Sequence, residues 1–323
     1  MKMEFCRDAM LSADCRENLN AEQSRKWREQ RMQKLQKRLE AAAMKGIRYV
    51  VFLGCLFGAE RVAETLIDGL FKAAAKNREV QLLLLLNAEE LRFMNHRDDI
   101  PDNVHILSAA ANNSYQDEEL VVCVKSYTIE MECGKCVQLK IEKSLKGDYK
   151  LVIPDMPEKN LMSFEPLGFT STKEKYGYSI LEWSDTGVTD YEEREESDFR
   201  YILRELHLTP EDGEKEIHSQ IEEMAREMDE RTFLHLDVKG ETAFAFMPDA
   251  VDMKARLEKR LLYAEVYINT SMNMDESQYG KEISLRSTFV NLIKQDETLE
   301  DAEKERIICL GWNALMGKEA SGN

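Results

Sequence analysis

Apolar residues recur along this chain with two different periods. Trp27, Leu35, Leu39 and Ala42 fall at helical spacing, ahead of a glycine at position 46. Asn20 followed by Gln23 has the form of a capping box, in which each side chain serves the other's backbone amide, and Gly46 suits the left-handed position after a helix end. The pattern predicts a helix from Asn20 to Gly46. Arg48 to Phe57 (RYVVFLGCLF) follows as a continuous apolar run, as expected of a strand covered on both faces of a parallel sheet. Helical spacing resumes over Gly58 to Lys76, and a second continuous run, VQLLLLL, covers Val80 to Leu86. Strand, helix and strand in this order predict a crossover connection and an α/β sheet flanked by helices.

The pattern then changes. Asn103 to Leu107 (NVHIL) reads as a further short strand, whereas Leu120 to Ile153 alternates apolar and polar residues, with Gly134 and Lys135 between Cys133 and Cys136. Alternation with turn residues predicts antiparallel hairpins, so the second half of the sheet is expected to be antiparallel and the whole sheet mixed. From Tyr191 to Ser197 (YEEREES) the chain turns acidic and loses its apolar pattern, which places a boundary between residues 195 and 196. Beyond it a smaller α+β region is predicted. Its elements are a strand at Tyr201 to Leu206, a helix from about Pro210 to Arg231, a strand at Thr232 to Val238, and helices near Asp252 to Arg260 and Leu299 to Leu315.

Chemistry in such sheets gathers just beyond the carboxyl ends of the strands. Two loops fall there, Gly54 to Gly58 and Asn87 to Glu90. Composition adds limits: 43% hydrophobic and 33% charged residues suit a globular chain, and no apolar run has the length of a membrane span. Glu4 and Asp8 sit where an export signal would be basic and then apolar, so a cytoplasmic location is expected, and with it free thiols for the seven cysteines. A net charge of -17 opposes non-specific adhesion to nucleic acid, so direct DNA contact is expected only locally or through a partner.

The order of segments resembles that of SbcD-type metallophosphoesterases, the catalytic subunits of bacterial DNA repair exonucleases. Tyr49 to Val62 (YVVFLGCLFGAERV) is similar to the family's strand and loop containing Gly-Asp-Leu-Phe-Asp. Leu83 to Glu89 (LLLLNAE) stands where the family has an apolar strand ending in Gly-Asn-His-Asp. Pro101 to Ile106 (PDNVHI), Ser163 to Phe169 (SFEPLGF), Tyr176 to Leu181 (YGYSIL), Ser284 to Val290 (SLRSTFV) and Leu310 to Gly317 (LGWNALMG) follow in the family's order. The resemblance implies a metallophosphoesterase-like sandwich over residues 1–195 and an accessory region over 196–323.

It also implies a site for two divalent ions, manganese or magnesium, held by carboxylates, histidines and an asparagine. Here Asp8 matches the first aspartate, but Met10 stands for a histidine. Cys55 replaces the bridging carboxylate, Asn87 is kept, Ala88 replaces a histidine and Glu89 an aspartate. No histidine occurs between Val121 and Ser163, and Pro154 or Met156 falls where a later ligand would be. Thioether, methyl and pyrrolidine groups do not hold hard cations. The resemblance therefore implies a catalytically degenerate homologue, a scaffold or regulatory protein with no catalytic residue and no bound metal or other cofactor. The implied partners are an SMC-like coiled-coil ATPase or an active paralogue, with a homodimer left open. The alternative is a metal-dependent phosphoesterase rebuilt around Asp8, Cys55, Asn87 and Glu89.

Other candidates carry a plainer reading beside the functional one. Cys133 and Cys136 form a C-x-x-C that, with Cys123 and a histidine, would make a zinc site, or by itself a redox pair; with no second C-x-x-C, a Gly-Lys turn flanked by thiols is the preferred account. Cys55 reads as a small replacement for a lost ligand or as a reactive thiol. His105 lies within an apolar strand, His96 in a loop, and His207, His218 and His235 on separate elements without ligand spacing. The basic stretch Arg25 to Arg38, broken by Trp27, has the charge of a nucleic-acid helix, but its interleaved Gln and Glu residues and apolar stripe fit a helix that covers the sheet and turns its charges to solvent.

Overall fold

The computed structural model describes residues 1–94, 96–144, 148–154, 156–169, 175–273 and 285–315. Ser284, Met316 and Gly317, at the ends of the two C-terminal segments named above, lie outside the described residues. The fold is mixed α/β, in two compact units, Met1–Phe199 and Arg200–Asn323.

The first unit begins with β1 (Lys2–Arg7), α1 (Ala21–Met44), β2 (Tyr49–Leu53), α2 (Glu64–Lys76), β3 (Gln81–Leu85), the single turn α3 (Ala88–Leu91) and β4 (Val104–Leu107). Six antiparallel strands follow: β5 (Ser114–Gln116), β6 (Leu120–Val124), β7 (Thr128–Cys133), β8 (Val137–Lys143), β9 (Tyr149–Val152) and β10 (Lys159–Asn160). β11 (Gly177–Ser184) and β12 (Gly187–Glu195) complete the unit. The first sheet runs β12-β11-β1-β2-β3-β4, with β1 to β4 parallel and β11 and β12 antiparallel, so it is mixed.

The alternating segment does not extend this sheet as the sequence pattern suggested; it builds a second one, in the order β10-β9-β8-β7-β6-β5. Side-chain parity explains the layering. Val50, Phe52, Leu82 and Leu84 face α1 and α2, where they meet Leu35, Leu39, Leu70 and Phe71. Tyr49, Val51, Leu53, Leu83 and Leu85 face the other way, onto Val122, Met131, Leu139, Ile141 and Leu151 of the second sheet. β2 and β3 are therefore apolar throughout because both their faces are covered, and β6 to β8 alternate because only one of theirs is.

The capping box at Asn20 is present, both reciprocal bonds measuring 2.9 Å. Gly46 follows the helix at φ +65°. α2 starts at Glu64, six residues later than Gly58, because Gly58 is held in the site loop described below. The acidic stretch read as a boundary is strand: β12 pairs along β11 from Gly187 to Glu195. The next four residues also belong to the first unit. Arg38 pairs with Glu196, Glu165 accepts from Ser197 and from the Asp198 amide, and Phe199 stacks on Trp27.

The second unit contains β13 (Arg200–Leu208), α4 (Glu214–Arg226), β14 (Thr232–Thr242), α5 (Ala250–Leu257), β15 (Tyr263–Met272), α6 (Leu285–Gln295) and α7 (Asp301–Leu315). Its three strands are all parallel, β13-β14-β15, each joined to the next through a helix. This is an α/β arrangement where an α+β one was expected, and β15, absent from the sequence reading, makes the difference. One face of the sheet, with Leu206, Leu234, Leu236 and Ala264, packs on Ile217, Ile221, Met253 and Leu257 of the helices.

Candidate functional site

The parallel strands β1, β2 and β3 end side by side, and the loops that follow them interlock. After β1 the chain runs along the loop after β2: the amides of Asp8, Met10, Leu11 and Ser12 donate to the carbonyls of Leu53, Cys55, Leu56 and Phe57. Asp8 and Met10 adopt φ +51° to do so, and Gly54 adopts +79°. A Cβ at Gly54 would overlap the Asp8 carboxylate, which is why glycine is needed there. Arg31 of α1 fastens this turn from behind, donating to the carbonyls of Ala9 at 2.6 Å and Pro166 at 3.0 Å.

The structure brings three of the four residues singled out from sequence to this place and leaves one outside it. One Asp8 oxygen accepts from the Cys55 amide at 3.0 Å, and the other lies 3.0 Å from Arg7 Nε. Burial raises the Asp8 carboxyl above its usual range, opposed by the Cys55 N–H and Arg7. The Asn87 side chain caps α3, its oxygen accepting from the Glu90 amide at 2.8 Å. Cys55 is half-buried, and its thiol is pushed up to about 11 by burial, with the carboxylates of Glu90 and Asp8 adding to the effect. Glu89 is exposed.

Its neighbour Glu90, not anticipated, does the work instead. Buried to 4% exposure, its carboxylate accepts from the amides of Leu56 at 3.1 Å, Phe57 at 2.7 Å and Gly58 at 3.2 Å. Charge-assisted bonds of this kind are about twice as strong as neutral ones. Glu90 thus shapes the β2 loop from β3. An acidic residue in the first turn after a strand is the only sequence signal for it, and Glu89 carries the same signal.

This donor set does not suit a pair of hard divalent ions. Each of the Asp8 and Glu90 oxygens already faces a proton donor, Asn87 spends its oxygen on a helix cap, and Met10 Sδ lies beside Gly58. Pro154 and Met156 are exposed. Among the described residues of the first unit, no three ligand atoms of His, Cys, Asp or Glu gather within 4.8 Å of one another.

The cysteine and histidine candidates do not converge either. Cys133 is buried between the sheets, its thiol raised to about 12 by burial, whereas Cys136 is exposed across the turn. His105 Nε2 lies 2.8 Å from Gln81 Oε1, its ring rests on Tyr115 and burial lowers its pKa; His96 is exposed. In the second unit His207 lies 3.4 Å from Glu205, His218 2.7 Å from Asp252 and His235 3.0 Å from Glu265.

The basic stretch departs furthest from expectation. Arg31, Lys34 and Arg38 are buried at 0%, 2% and 4% exposure. Arg38 binds Glu4 twice, at 2.8 and 3.0 Å, and lies over the Tyr178 ring. Lys34 joins Glu165 and donates to the carbonyls of Phe164 and Glu196. These cations lie on the same stripe as Leu35 and Leu39, and their partners are held on distant segments.

Beside the interlocked loops a cleft of about 230 Å³ opens between the sheets. Gly54, Asn87, Ala88, Ser108, Ala109 and Ala110 line it from the first sheet, and Lys125, Tyr127, Thr128, Ile141, Lys143 and Tyr149 from the second. Tyr149 is raised to about 12 by burial, with Asp8 and Cys55 adding to the shift.

No protein-family model matches the chain, and no curated protein matches its sequence. No described helix is long and apolar enough to cross a membrane.

Proposed function

We propose that this chain is a catalytically degenerate relative of SbcD-type metallophosphoesterases that works by protein contact, as a scaffold or regulatory subunit in a DNA-repair setting. The observation that carries the reading is the state of the strand-end acids: Asp8 and Glu90 point their oxygens at backbone amides and Arg7. A site that retains two metal ions needs carboxylate lone pairs turned toward open space. Two further facts support the reading: the order of family-like segments, and a mixed sheet whose parallel strands end at Asp8, Gly54 and Asn87. The partner implied by the resemblance is an SMC-like ATPase or an active paralogue, bound through the C-terminal region.

Affinity capture of the tagged chain from its own cell, with mass spectrometry of what is retained, tests this. Recovery of a coiled-coil ATPase or of a nuclease subunit is the expected result; capture of neither, from cells that express both, overturns it. The rival reading, a phosphoesterase rebuilt around Asp8, Cys55, Asn87 and Glu89, rests on Asp8 and Cys55 being adjacent. It requires bound metal and turnover of a generic phosphodiester with manganese, and elemental analysis of protein purified without chelator decides between the two.

A further inference from the structure

The cleft between the two sheets differs in charge from the rest of the chain. Acidic residues outnumber basic ones 61 to 44 over the sequence, yet the lining of this space holds two lysines and no acid. Of the acids around it, Asp8 and Glu90 accept from the amides of residues 55 to 58, Asp148 lies 3.5 Å from Arg7, and Glu89, beside the lining residue Ala88, is exposed; the Asp8 charge also acts on Lys143. Lys125 is paired with Glu130 at the rim. Lys143 makes no ion pair among the described residues, and its ammonium lies 5.6 Å from the centre of the Tyr149 ring.

Lys143 is exposed, at the rim of the cleft. On β8, Leu139 and Ile141 face the first sheet and are buried, and Lys143 continues that parity at the strand's last residue. A charge is therefore placed at an inward register position, where the inner face opens into the cleft. The opposite wall is stripped of side chains at Gly54, Ala88, Ala109 and Ala110, which leaves room, and Leu85, Ile129 and Ile141 make the flanks apolar. A concave space with apolar flanks and a few polar groups is the usual form of a small-molecule site, and at about 230 Å³ this one suits a small ligand. An acidic protein repels anions at long range, so a cleft that takes one must supply local positive charge and exclude its own carboxylates.

We propose that this cleft binds, without a metal ion, a small oxyanion carried on an aromatic or apolar body, an aryl carboxylate or aryl phosphate being the chemical class. Lys143 meets the oxyanion, Ser108 offers a hydroxyl to it, and Tyr149 and the aliphatic flanks cover the body. The inference stands on the cleft's lining and is independent of the family reading.

Titration of the full chain in the presence of a chelator, with 2-naphthoate, 2-naphthyl phosphate and the neutral 2-naphthamide as probes, tests it. At least one anion is expected to bind about ten-fold or more tightly than the amide, and the stronger of the two anions identifies the head group. Lys143→Met should remove that preference and Lys143→Arg should retain it. Lys140→Met, on the same strand but paired with Glu142 and outside the cleft, should change nothing. Equal binding of anion and amide, no binding of any probe, or an unaltered preference in a Lys143→Met protein with an unchanged unfolding midpoint overturns the proposal. Binding that appears only with added manganese also overturns it, and points to a rebuilt metal site instead.

Discussion

Beneath α1 the buried acids Glu4 and Glu165 are met by cations, whereas at the strand ends Asp8 and Glu90 are met chiefly by backbone amides. The two groups, one beneath α1 and one at the strand ends, do different things. An ion pair buried at Glu4 and Arg38 costs desolvation on both sides, and each partner is then indispensable to the other. Burial alone would push Arg38 toward its neutral form, but the hydrogen bonds and charge of Glu4 hold it protonated; burial in turn raises Glu4. An acid satisfied by amides instead fixes the path of a loop, and its charge is offset by dipoles that belong to the loop itself. The first arrangement joins distant segments. The second holds the strand-end loop in shape while occupying the carboxylate lone pairs.

The sharpest way to break this contrast is to remove one partner on each side. Arg38→Met should cost about 3–5 kcal/mol in urea unfolding, because it leaves the Glu4 carboxylate buried without its cation. Replacing both, as Glu4→Leu with Arg38→Met, should recover most of that loss. A loss below about 1 kcal/mol for the single change would show that the pair is not structural.

At the strand ends Glu90→Gln preserves volume but turns an amide nitrogen toward the loop's own N–H groups. The expected cost is smaller, about 1.5–3 kcal/mol, and should be accompanied by faster hydrogen exchange at Phe57 and Gly58. Exchange unchanged at those amides would mean that the loop holds itself.

Gly54→Ala should cost about 1–3 kcal/mol through its positive φ and the overlap with Asp8. The same change in an Asp8→Ala background should cost measurably less, and additivity of the two would remove the proposed clash.

The smallest effect is a pH dependence of opposite sign at two carboxylates. Although burial pushes Asp117 up, the amides of Glu119 and Leu120 and the hydroxyls of Tyr49 and Tyr115 outweigh it, and its pKa is lowered. Its stabilising contribution is complete above the ordinary carboxylate value of about 3.9 and is lost as pH falls through the depressed folded value. Asp8 is raised, so the folded chain holds its proton more tightly than the unfolded chain does. Stability then declines as pH climbs from the ordinary value through the raised one. Urea midpoints measured across the acid range should show that Asp117→Asn flattens the loss at low pH and Asp8→Asn flattens the decline above it. Parallel curves for the two variants would contradict the difference in environment.

The strands and helices around the site were legible because their patterns are local. β2 and β3 are continuous apolar runs, and the Asn20 box needs only three residues of separation, so each could be read within a short window. The position of the site followed from those runs, since loops after parallel strands meet at one edge. Two strands could not be read in this way. β1 (MEFCR within Lys2–Arg7) contains acidic and basic residues, and only its place between β11 and β2 makes it central. β15 alternates like a solvent-facing strand and is recognisable only through its parallel pairing with β14.

What the sequence determined by itself was the sequence-local part: which segments bury one face or two, where α1 begins, and that Met10, Cys55 and Ala88 bring no carboxylate to the strand ends. The tertiary structure alone decided between Glu89 and Glu90, chemically identical neighbours separated by the turn of a short helix, and it alone turned Arg31, Lys34 and Arg38 inward. Their partners lie up to 162 residues away in the chain. Whether a charge is buried depends on what is brought to meet it, and no pattern along α1 records that.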